Sequence, residues 1–508
     1  TELEGNTTTY TIAYTFGWEP LQQYLIKFPD GNYQTLRASW DTQKKKWFHQ
    51  YPDTIIPTSD WLHWTGNAQV WNSMCASCHS TNLKKNFTET TRTYNTTYDV
   101  MNVSCEACHG PGSKHVAVMQ IKNYTGNTYY TRLDKSSKDM QINVCGTCHG
   151  RRTALTANSN PQTDFLEFYY PDGQQLDEVY NYGSFLSSKM YRYGVVCTDC
   201  HNPHSGKIKL EGNALCLQCH AVEYDSPAHH FHAEKTAGAQ CKSCHMDGRN
   251  YMVNDYRHDH SFRVPRPDQS VKYNTPNACI SCHENKTNSW AAEAIRKWYG
   301  AERKYHFSDD LIPGSFANGN SLAHLQRLMA DTAVNAIVKA TALTYMSYLP
   351  EPKALDNIIA ATTHPSALVR TNAFISLLNY RQNTDVSILT KGLTDPVRSV
   401  RIAAYRVLAN PAITKIEDAY LAAYTSVQSE YLAYLDANAD FAAGQILKGE
   451  YYQEINDLQT AEKCYLNALA LDKLLEAPRL NLAIIYSKQQ RNAKTWEQLQ
   501  LLIQYHPQ

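Results

Sequence analysis

Cysteine and histidine carry the most informative pattern in this chain of 508 residues. Fourteen of the fifteen cysteines stand in seven C-x-x-C pairs, and a histidine follows each pair directly. In chain order, the first to seventh motifs are Cys75/Cys78/His79, Cys105/Cys108/His109, Cys145/Cys148/His149, Cys197/Cys200/His201, Cys216/Cys219/His220, Cys241/Cys244/His245 and Cys279/Cys282/His283. Two thiols three positions apart can form thioether bonds to one porphyrin, and the next imidazole can then bind its iron. The pattern predicts seven covalently bound haem c groups.

Zinc or a dithiol redox pair is the alternative chemistry for C-x-x-C. A structural zinc site takes four ligands and does not require histidine at one fixed offset from every pair. The chain has only 20 histidines, so it is very improbable that a histidine follows all seven C-x-x-C pairs by chance. Haem is therefore favoured over zinc. The seven motifs span residues 75–283, which leaves too little protein for a separate apolar pocket around each haem. The haems are therefore expected to pack on one another and to relay electrons.

The sixth position of each iron decides between a relay, in which a second histidine closes it, and an enzyme, in which it stays open. Nine further histidines precede residue 284, enough for seven irons. His49 is expected to be an ordinary histidine at a strand edge. The candidate distal ligands are His63, His115, His204, His229, His230, His232, His258 and His260. We expect at least one ligand from each of the two clusters, 229–232 and 258–260, with the other members bonding to propionates or backbone.

Two other readings of residues near the motifs remain open. Methionine can serve as a sixth ligand, although Met74, Met101, Met246 and Met252 are explained equally well by packing. Arg151 and Arg152 directly follow His149, and their guanidinium groups match haem propionates. Alternatively, these arginines hold an anionic substrate at an open third haem. No other set of residues resembles a catalytic site.

The composition limits the partners and the location. Lys plus Arg equals Asp plus Glu at 48 each, so no general charge favours nucleic acid or an anionic membrane surface. No stretch has the roughly 18 consecutive apolar residues of a membrane span, and the first residues do not resemble a signal peptide. Because C-x-x-C-H haem is attached outside the cytoplasm, we expect a processed protein of the periplasm or the cell exterior.

The chain divides by composition into four predicted units of a mainly α protein. Residues 1–60 mix β-branched and aromatic residues and predict a small β-rich unit, and residues 61–300 form the heptahaem domain with short helices. Residues 301–425 show a period of 31, in which Val338/Ala342/Met346 recurs as Val369/Ala373/Leu377 and Val400/Ala404/Leu408. Residues 426–508 show a period of 34, typical of tetratricopeptide repeats. Both predict stacked helix pairs, an α-solenoid of HEAT-like and then tetratricopeptide-like repeats, which either supports the haem domain or docks partners.

Three segments carry a resemblance to a known family. They are C-E-A-C-H-G-P-G-S-K-H at 105–115, C-G-T-C-H-G-R-R at 145–152 and D-H-S-F-R-V-P-R-P at 259–267. With the repeats that follow, the chain resembles multihaem cytochromes related to cytochrome c554, in the subgroup fused to HEAT-like and tetratricopeptide repeats. The resemblance implies a bis-histidine haem relay in exported respiratory pathways.

Three functions are compatible with this resemblance. The first is an electron carrier whose repeats bind redox partner proteins. The second is a protomer that assembles with copies of itself into an extracellular cytochrome filament. The third is an oxidoreductase acting on a small nitrogen or sulfur compound at one open haem. The chain has no C-x-x-C-K motif and no eighth attachment site, which disfavours the nitrite reductase and octahaem enzymes among broader relatives.

Overall fold

The N-terminal part of the computed structural model is built from antiparallel β-strands. The model describes residues 2–3, 6–150, 153–155, 171–175, 180–410, 413 and 416–506. Strands β1 (Glu2–Leu3) and β2 (Asn6–Thr7) pair with each other. The main sheet contains β3 (Ile12–Phe16), β4 (Leu21–Lys27), β5 (Tyr33–Thr35), β6 (Ala38–Asp41) and β7 (Lys46–His49) in the order β3-β4-β6-β7, with β5 also on β4. Leu25 of this sheet is fully buried together with Trp71 and Ala76 beside the first motif.

The motif region consists of short helices and three small hairpins. The helices are α1 (Trp71–Met74), α2 (Ala76–His79), α3 (Cys105–His109), α4 (Ser113–Met119), α5 (Lys138–His149), α6 (Asn181–Ser187), α7 (Lys189–Arg192), α8 (Cys197–Cys200), α9 (Pro227–His230), α10 (Cys241–His245), α11 (Pro267–Tyr273), α12 (Ala278–Cys282) and α13 (Asn288–Tyr299). The hairpins pair β8 (Phe87–Thr88) with β9 (Thr93–Tyr94), β10 (His201–Asn202) with β11 (Lys207–Ile208), and β12 (Gly248–Tyr251) with β13 (Asp255–His258). The fifth motif begins in a 3-10 helix, Gly212–Gln218.

The motif region has little core of its own. Isolated side chains such as Ile142 and Phe185 are buried there. In the described part of the chain, however, the clusters of buried apolar residues include none between Ala76 and Leu311. A folded region of this length requires a core, so this is the arrangement expected where bound cofactors supply the apolar volume.

The C-terminal half is an array of helices. They are α14 (Ser308–Gly314), α15 (Ser321–Ala330), α16 (Ala336–Met346), α17 (Pro352–Ala361), α18 (Ala367–Ser376), α19 (Val386–Gly392), α20 (Arg398–Leu408), α21 (Asp418–Ala437), α22 (Ala442–Glu454), α23 (Leu458–Leu471), α24 (Glu476–Lys488) and α25 (Asn492–Tyr505), with a 3-10 segment at Leu377–Asn383. The mainly α class and the C-terminal helical repeat region agree with the sequence prediction. Among the described residues, none of the helices combines the length and apolarity needed to cross a membrane.

The 31-residue period corresponds to buried positions on successive helices. Val338, Val369 and Val400 are at most 3% exposed and lie on α16, α18 and α20. The basic residue that follows each valine reaches another repeat or helix. Arg370 donates to Asp395 at 2.7 Å, and Arg401 donates to Glu430 at 2.6 Å. The repeat therefore encodes both the buried helix face and the ion pairs that join successive units.

The repeats pack against the motif region near the first motif. The Lys85 ammonium lies 2.6 Å from the Asp440 carboxylate, which is 1% exposed and precedes α22. Lys448 on α22 lies 2.7 Å from Glu89, which follows β8. A second contact joins α6 to the start of α16, where the Asn335 amide donates to the Ser187 carbonyl at 3.3 Å. The helical repeats are thus fixed to the motif region rather than separated from it.

Candidate haem centre

Each C-x-x-C-H motif needs its two sulfurs and its imidazole on one side of the backbone. Residues i, i+3 and i+4 lie on the same face of a helix, and Cys105, Cys108 and His109 occupy these positions on α3. The same geometry recurs on α10, which spans the whole sixth motif. One helical turn therefore presents two thiols and one imidazole to a single flat cofactor.

The first four motifs lie next to one another. The Cys78 thiol donates to the Cys148 carbonyl at 3.7 Å, which joins the first motif to the third. The pKa of Cys108 is raised by burial and by the neighbouring Cys145, so the second motif lies beside the third. The Cys145 thiol also forms a hydrogen bond with Cys197, which brings the fourth motif to the third.

The remaining motifs continue this row. Burial, Asp199 and Cys219 raise the pKa of Cys200, which places the fifth motif beside the fourth. The Cys216 and Cys241 thiols form a hydrogen bond between the fifth and sixth motifs. In the sixth motif, burial and the cysteines of the seventh raise the pKa of Cys244 to about 11. Every attachment motif therefore has another one in its immediate surroundings.

Four motif histidines face a second histidine at one recurring distance. The ring centres are 6.1–6.3 Å apart and the rings are within 29° of parallel, in the pairs His109/His204, His201/His260, His245/His229 and His283/His232. Two imidazoles bound through Nε2 to opposite sides of one metal ion have centres about 6 Å apart, because each bond is about 2 Å long and each ring centre lies about 1 Å beyond its nitrogen. The four pairs have the spacing of axial ligand pairs.

The other ring nitrogen of several histidines is held by backbone. Nδ1 of His109, His115, His232, His245, His258 and His260 lies 2.5–2.9 Å from a carbonyl oxygen. Since a carbonyl only accepts, Nδ1 carries the proton and Nε2 is left with the lone pair that binds a metal. Burial also lowers the pKa of His260 to about 4, which keeps this imidazole neutral.

The donor set therefore fits haem. An iron in a porphyrin needs only two protein ligands, whereas zinc needs about four. In the described residues, no group of three or more His, Cys, Asp or Glu side chains lies close enough to hold a metal ion. The paired imidazoles, the adjacent thiols and the scarcity of apolar core in the described part of the motif region together match the requirements of covalently attached haem.

Three family models match parts of the chain. Cytochrome c554 and c-prime matches residues 38–110, the doubled CXXCH motif matches residues 192–224, and HEAT repeats match residues 323–409. This chain is a multihaem cytochrome c with HEAT-like repeats. It carries covalently bound c-type haem and belongs among electron-transfer cytochromes. No curated protein and no solved structure matches it.

Two candidate ligands of the cytochrome, His63 and His230, have the opposite hydrogen-bond pattern. The backbone N–H of Thr65 donates to His63 Nδ1 at 3.3 Å, and the Thr65 hydroxyl, which can donate or accept, lies 2.8 Å from the same atom. The backbone N–H of His232 donates to His230 Nδ1 at 3.2 Å. When Nδ1 accepts, the proton of a neutral imidazole is on Nε2, which then cannot bind a metal. In this conformation the His230 ring suits hydrogen bonding rather than ligation, and ligation by His63 stays a prediction. His49 is likewise an acceptor, from Tyr51, at the end of β7.

The structure surrounds the other three motif histidines with aromatic and basic groups. His79 packs edge-on against Phe16 with ring centres 5.3 Å apart, and His220 against Tyr224 at 6.4 Å. The pKa of His149 is lowered by burial and by the nearby Arg257. The carbonyl bonds at Nδ1 of His115 and His258 leave the Nε2 lone pairs of both rings available. Arg151 and Arg152, the predicted partners of haem propionates, lie outside the described residues.

Two arginines beside the candidate ligands, Arg257 and Arg263, were not singled out from the sequence. Arg257 lies near His79 as well as His149, where its charge lowers the pKa of both after the larger effect of burial. Arg263 accepts at its carbonyl from Nδ1 of His245 at 2.6 Å, and its guanidinium pairs with buried Asp172 at 3.3 Å. The only sequence signal for Arg263 was its place in D-H-S-F-R-V-P-R-P. Nothing in the sequence indicated Arg257.

Proposed function

We propose that this cytochrome carries seven haems, one on each motif, and conducts electrons along them in exported respiratory electron transfer. The observation that carries the proposal is the set of four imidazole pairs with axial spacing. When bound, haem supplies a one-electron centre, and bis-histidine ligation leaves no open position for substrate. The row of adjacent motifs supports transfer from one centre to the next.

The chain supplies the ligands and fixes their orientation. We assign His204, His260, His229 and His232 as distal ligands of the second, fourth, sixth and seventh haems. His115 and His258 are assigned to two of the first, third and fifth haems, because carbonyl bonds at Nδ1 leave their Nε2 atoms free. The carbonyl bonds at Nδ1 hold the rings of His115, His232, His258 and His260 in the metal-binding tautomer without a titratable partner.

The protein acts outside the cytoplasm in this scheme, and its repeats serve both support and docking. Haem attachment to C-x-x-C-H takes place outside the cytoplasm, so the protein acts in the periplasm or at the cell exterior. The C-terminal repeats, the tetratricopeptide-like pairs among them, support the haem region and offer a surface for redox partner proteins. Fractionation of the native host checks the location, and haem-stained protein in the cytoplasmic fraction would contradict it.

Haem counting and electron paramagnetic resonance (EPR) test the central claim. The pyridine haemochrome assay should give seven haems per chain, and EPR of the oxidised holoprotein should show at least six of them low-spin. His204→Ala should convert one haem to high-spin at an unchanged haem count. The matched control His49→Ala should leave the spectrum unchanged, because His49 is an exposed histidine at the end of β7 whose Nδ1 accepts a hydrogen bond from the Tyr51 backbone. A different haem count, or predominantly high-spin haem in the native protein, overturns the proposal.

A further inference from the structure

Helix α13 contacts the histidines of two neighbouring haem sites. Trp290, in its first turn, has its ring centre 4.9 Å from that of His283, the motif histidine of the seventh site. Tyr299, its last residue, packs edge-on against His229 with ring centres 6.1 Å apart. His229 is the partner of His245 in the sixth site. One helix of 12 residues therefore touches an axial histidine of each site.

The segment that supplies both distal histidines turns sharply at one residue. His229 and His232 are three positions apart but face different motif histidines, His245 and His283. Between them Phe231 has a φ of +56°, in the left-handed region, which is rare for a bulky side chain. This backbone reversal is what sends the two imidazoles to different sites, and it requires surrounding contacts to hold it.

Helix α13 provides those contacts. Trp298 stacks on the Phe231 ring at 4.5 Å with an angle of 2° between the planes. The Tyr299 hydroxyl donates to the His229 backbone carbonyl and lies 3.5 Å from His229 Nδ1. Consecutive aromatic residues thus hold the turning residue and the distal histidine before it.

The helix itself is anchored independently of this segment. The Thr287 side chain caps its first turn by accepting from the Trp290 N–H at 3.2 Å. Ala291 and Ile295 of the helix are buried, and the Asn277 side-chain amide donates to the Asn288 side chain at 2.9 Å. A fixed helix can act as a template for a strained segment, whereas a mobile one cannot.

We propose that Trp298 and Tyr299 are positioning residues that set the distal ligation of the sixth and seventh haems. This inference rests on the proposed bis-histidine ligation and adds the element that determines it at two adjacent sites. Loss of the Trp298 stack frees Phe231 to leave the left-handed conformation, and His229 and His232 then no longer both reach their irons. Loss of the Tyr299 hydroxyl alters the hydrogen bonding of His229 while both ligands stay in place.

The test compares two variants of the full holoprotein with matched controls. Trp298→Leu should keep the haem count and convert one or two haems from low-spin to high-spin in EPR. Tyr299→Phe should keep all haems low-spin but shift the g-values and the reduction potential of one haem. The controls Trp496→Leu and Tyr193→Phe change the same residue types at positions that are 65% and 87% exposed, and should match the native protein.

The results distinguish the positioning role of Trp298 and Tyr299 from the bis-histidine ligation on which it rests. Native low-spin spectra together with unchanged spectra and potentials in both variants would overturn the positioning role and leave the bis-histidine relay intact. Native protein without low-spin haem would overturn the ligation itself, and the inference with it. Circular dichroism and haem counting on every variant separate a ligation change from a folding failure, because a misfolded chain would lose helix signal or haem.

Discussion

Removing the charge of Asp440 should destabilise the contact between the helical repeats and the motif region. Its carboxylate is 1% exposed and accepts both from Lys85, at 2.6 and 2.7 Å, and from the Tyr94 hydroxyl at 3.2 Å. Burial, with Asp440 as the next cause, raises the pKa of Tyr94, so this phenol stays a donor. The substitution Asp440→Asn keeps the shape and one acceptor but leaves the Lys85 cation without its counter-charge.

The expected cost follows from the burial of the two partners. Breaking a fully buried ion pair costs about 3–5 kcal/mol, and a charge-assisted hydrogen bond contributes about 1.5–3 kcal/mol. Lys85 is 25% exposed and regains part of its hydration, so we expect a loss of about 2 kcal/mol in the free energy of unfolding. At a typical urea dependence of about 2 kcal/mol per molar, the midpoint should fall by about 1 M.

Urea unfolding of the holoprotein, followed by far-ultraviolet circular dichroism, measures this loss. The control Asp436→Asn changes the same residue type at a carboxylate that is 67% exposed and 2.9 Å from Lys448. Since Lys448 keeps its bond to Glu89, the control should cost less than about 0.5 kcal/mol. Equal midpoints for the two variants would refute the reasoning that burial of Asp440 makes its ion pair stabilising.

Three further substitutions test ligation, packing and acid stability. His258→Ala should add one high-spin haem in EPR, and an unchanged spectrum would contradict its assignment as a ligand. Gly449→Ala would place a Cβ 2.6 Å from the Tyr465 ring and should cost about 1–3 kcal/mol in urea unfolding, whereas a native midpoint would contradict this close packing. Burial raises the pKa of Asp395, but hydrogen bonds from Arg370 outweigh burial, so the pKa in the folded protein is lower than the ordinary aspartate value. The ionised carboxylate therefore stabilises the fold above the ordinary aspartate pKa, and this stabilisation is lost as the pH falls through the lowered pKa. Between about pH 5 and 3 the native protein should therefore lose more unfolding free energy than Asp395→Asn, and equal losses would contradict the sign.

The repeat region could be predicted from the sequence because its information is local. A period of 31 residues places one valine of each repeat at a buried helix position, and Val369 and Val400 are completely buried as that pattern requires. The period of 34 likewise predicted helix pairs where α22 to α25 lie, with Tyr465 and Tyr486 at most 2% exposed. Its assignment as tetratricopeptide repeats stays a prediction. Helix periodicity is readable without tertiary structure since each turn repeats every 3.6 residues.

The motif histidines could be predicted because C-x-x-C-H is a local sequence pattern, but the second histidine that faces each of them could not be predicted. His204 follows the fourth motif closely in sequence, yet its ring faces His109 of the second. His260 faces His201 of the fourth motif instead. Such pairings depend on how short elements pack around one another, and no spacing in the sequence encodes that. The direction of the Nδ1 hydrogen bond, which distinguishes His230 from His232, is equally a property of the folded backbone.

The contacts between the helical repeats and the motif region indicate that the repeats support the haem domain. Docking of partner proteins by the repeats stays a prediction. Asp440 binds Lys85 in the segment that follows the first motif. Helix α13 follows the seventh motif, packs on His283 of that motif, and leads into the repeats. The helical array is therefore joined to the chain around both the first and the seventh motif. A repeat array stabilised mainly by neighbour contacts transmits local loss of stability along its length. Weakening the Asp440 contact should thus lower the stability of the helices without altering haem ligation, whereas weakening the Trp298 contact should alter ligation first.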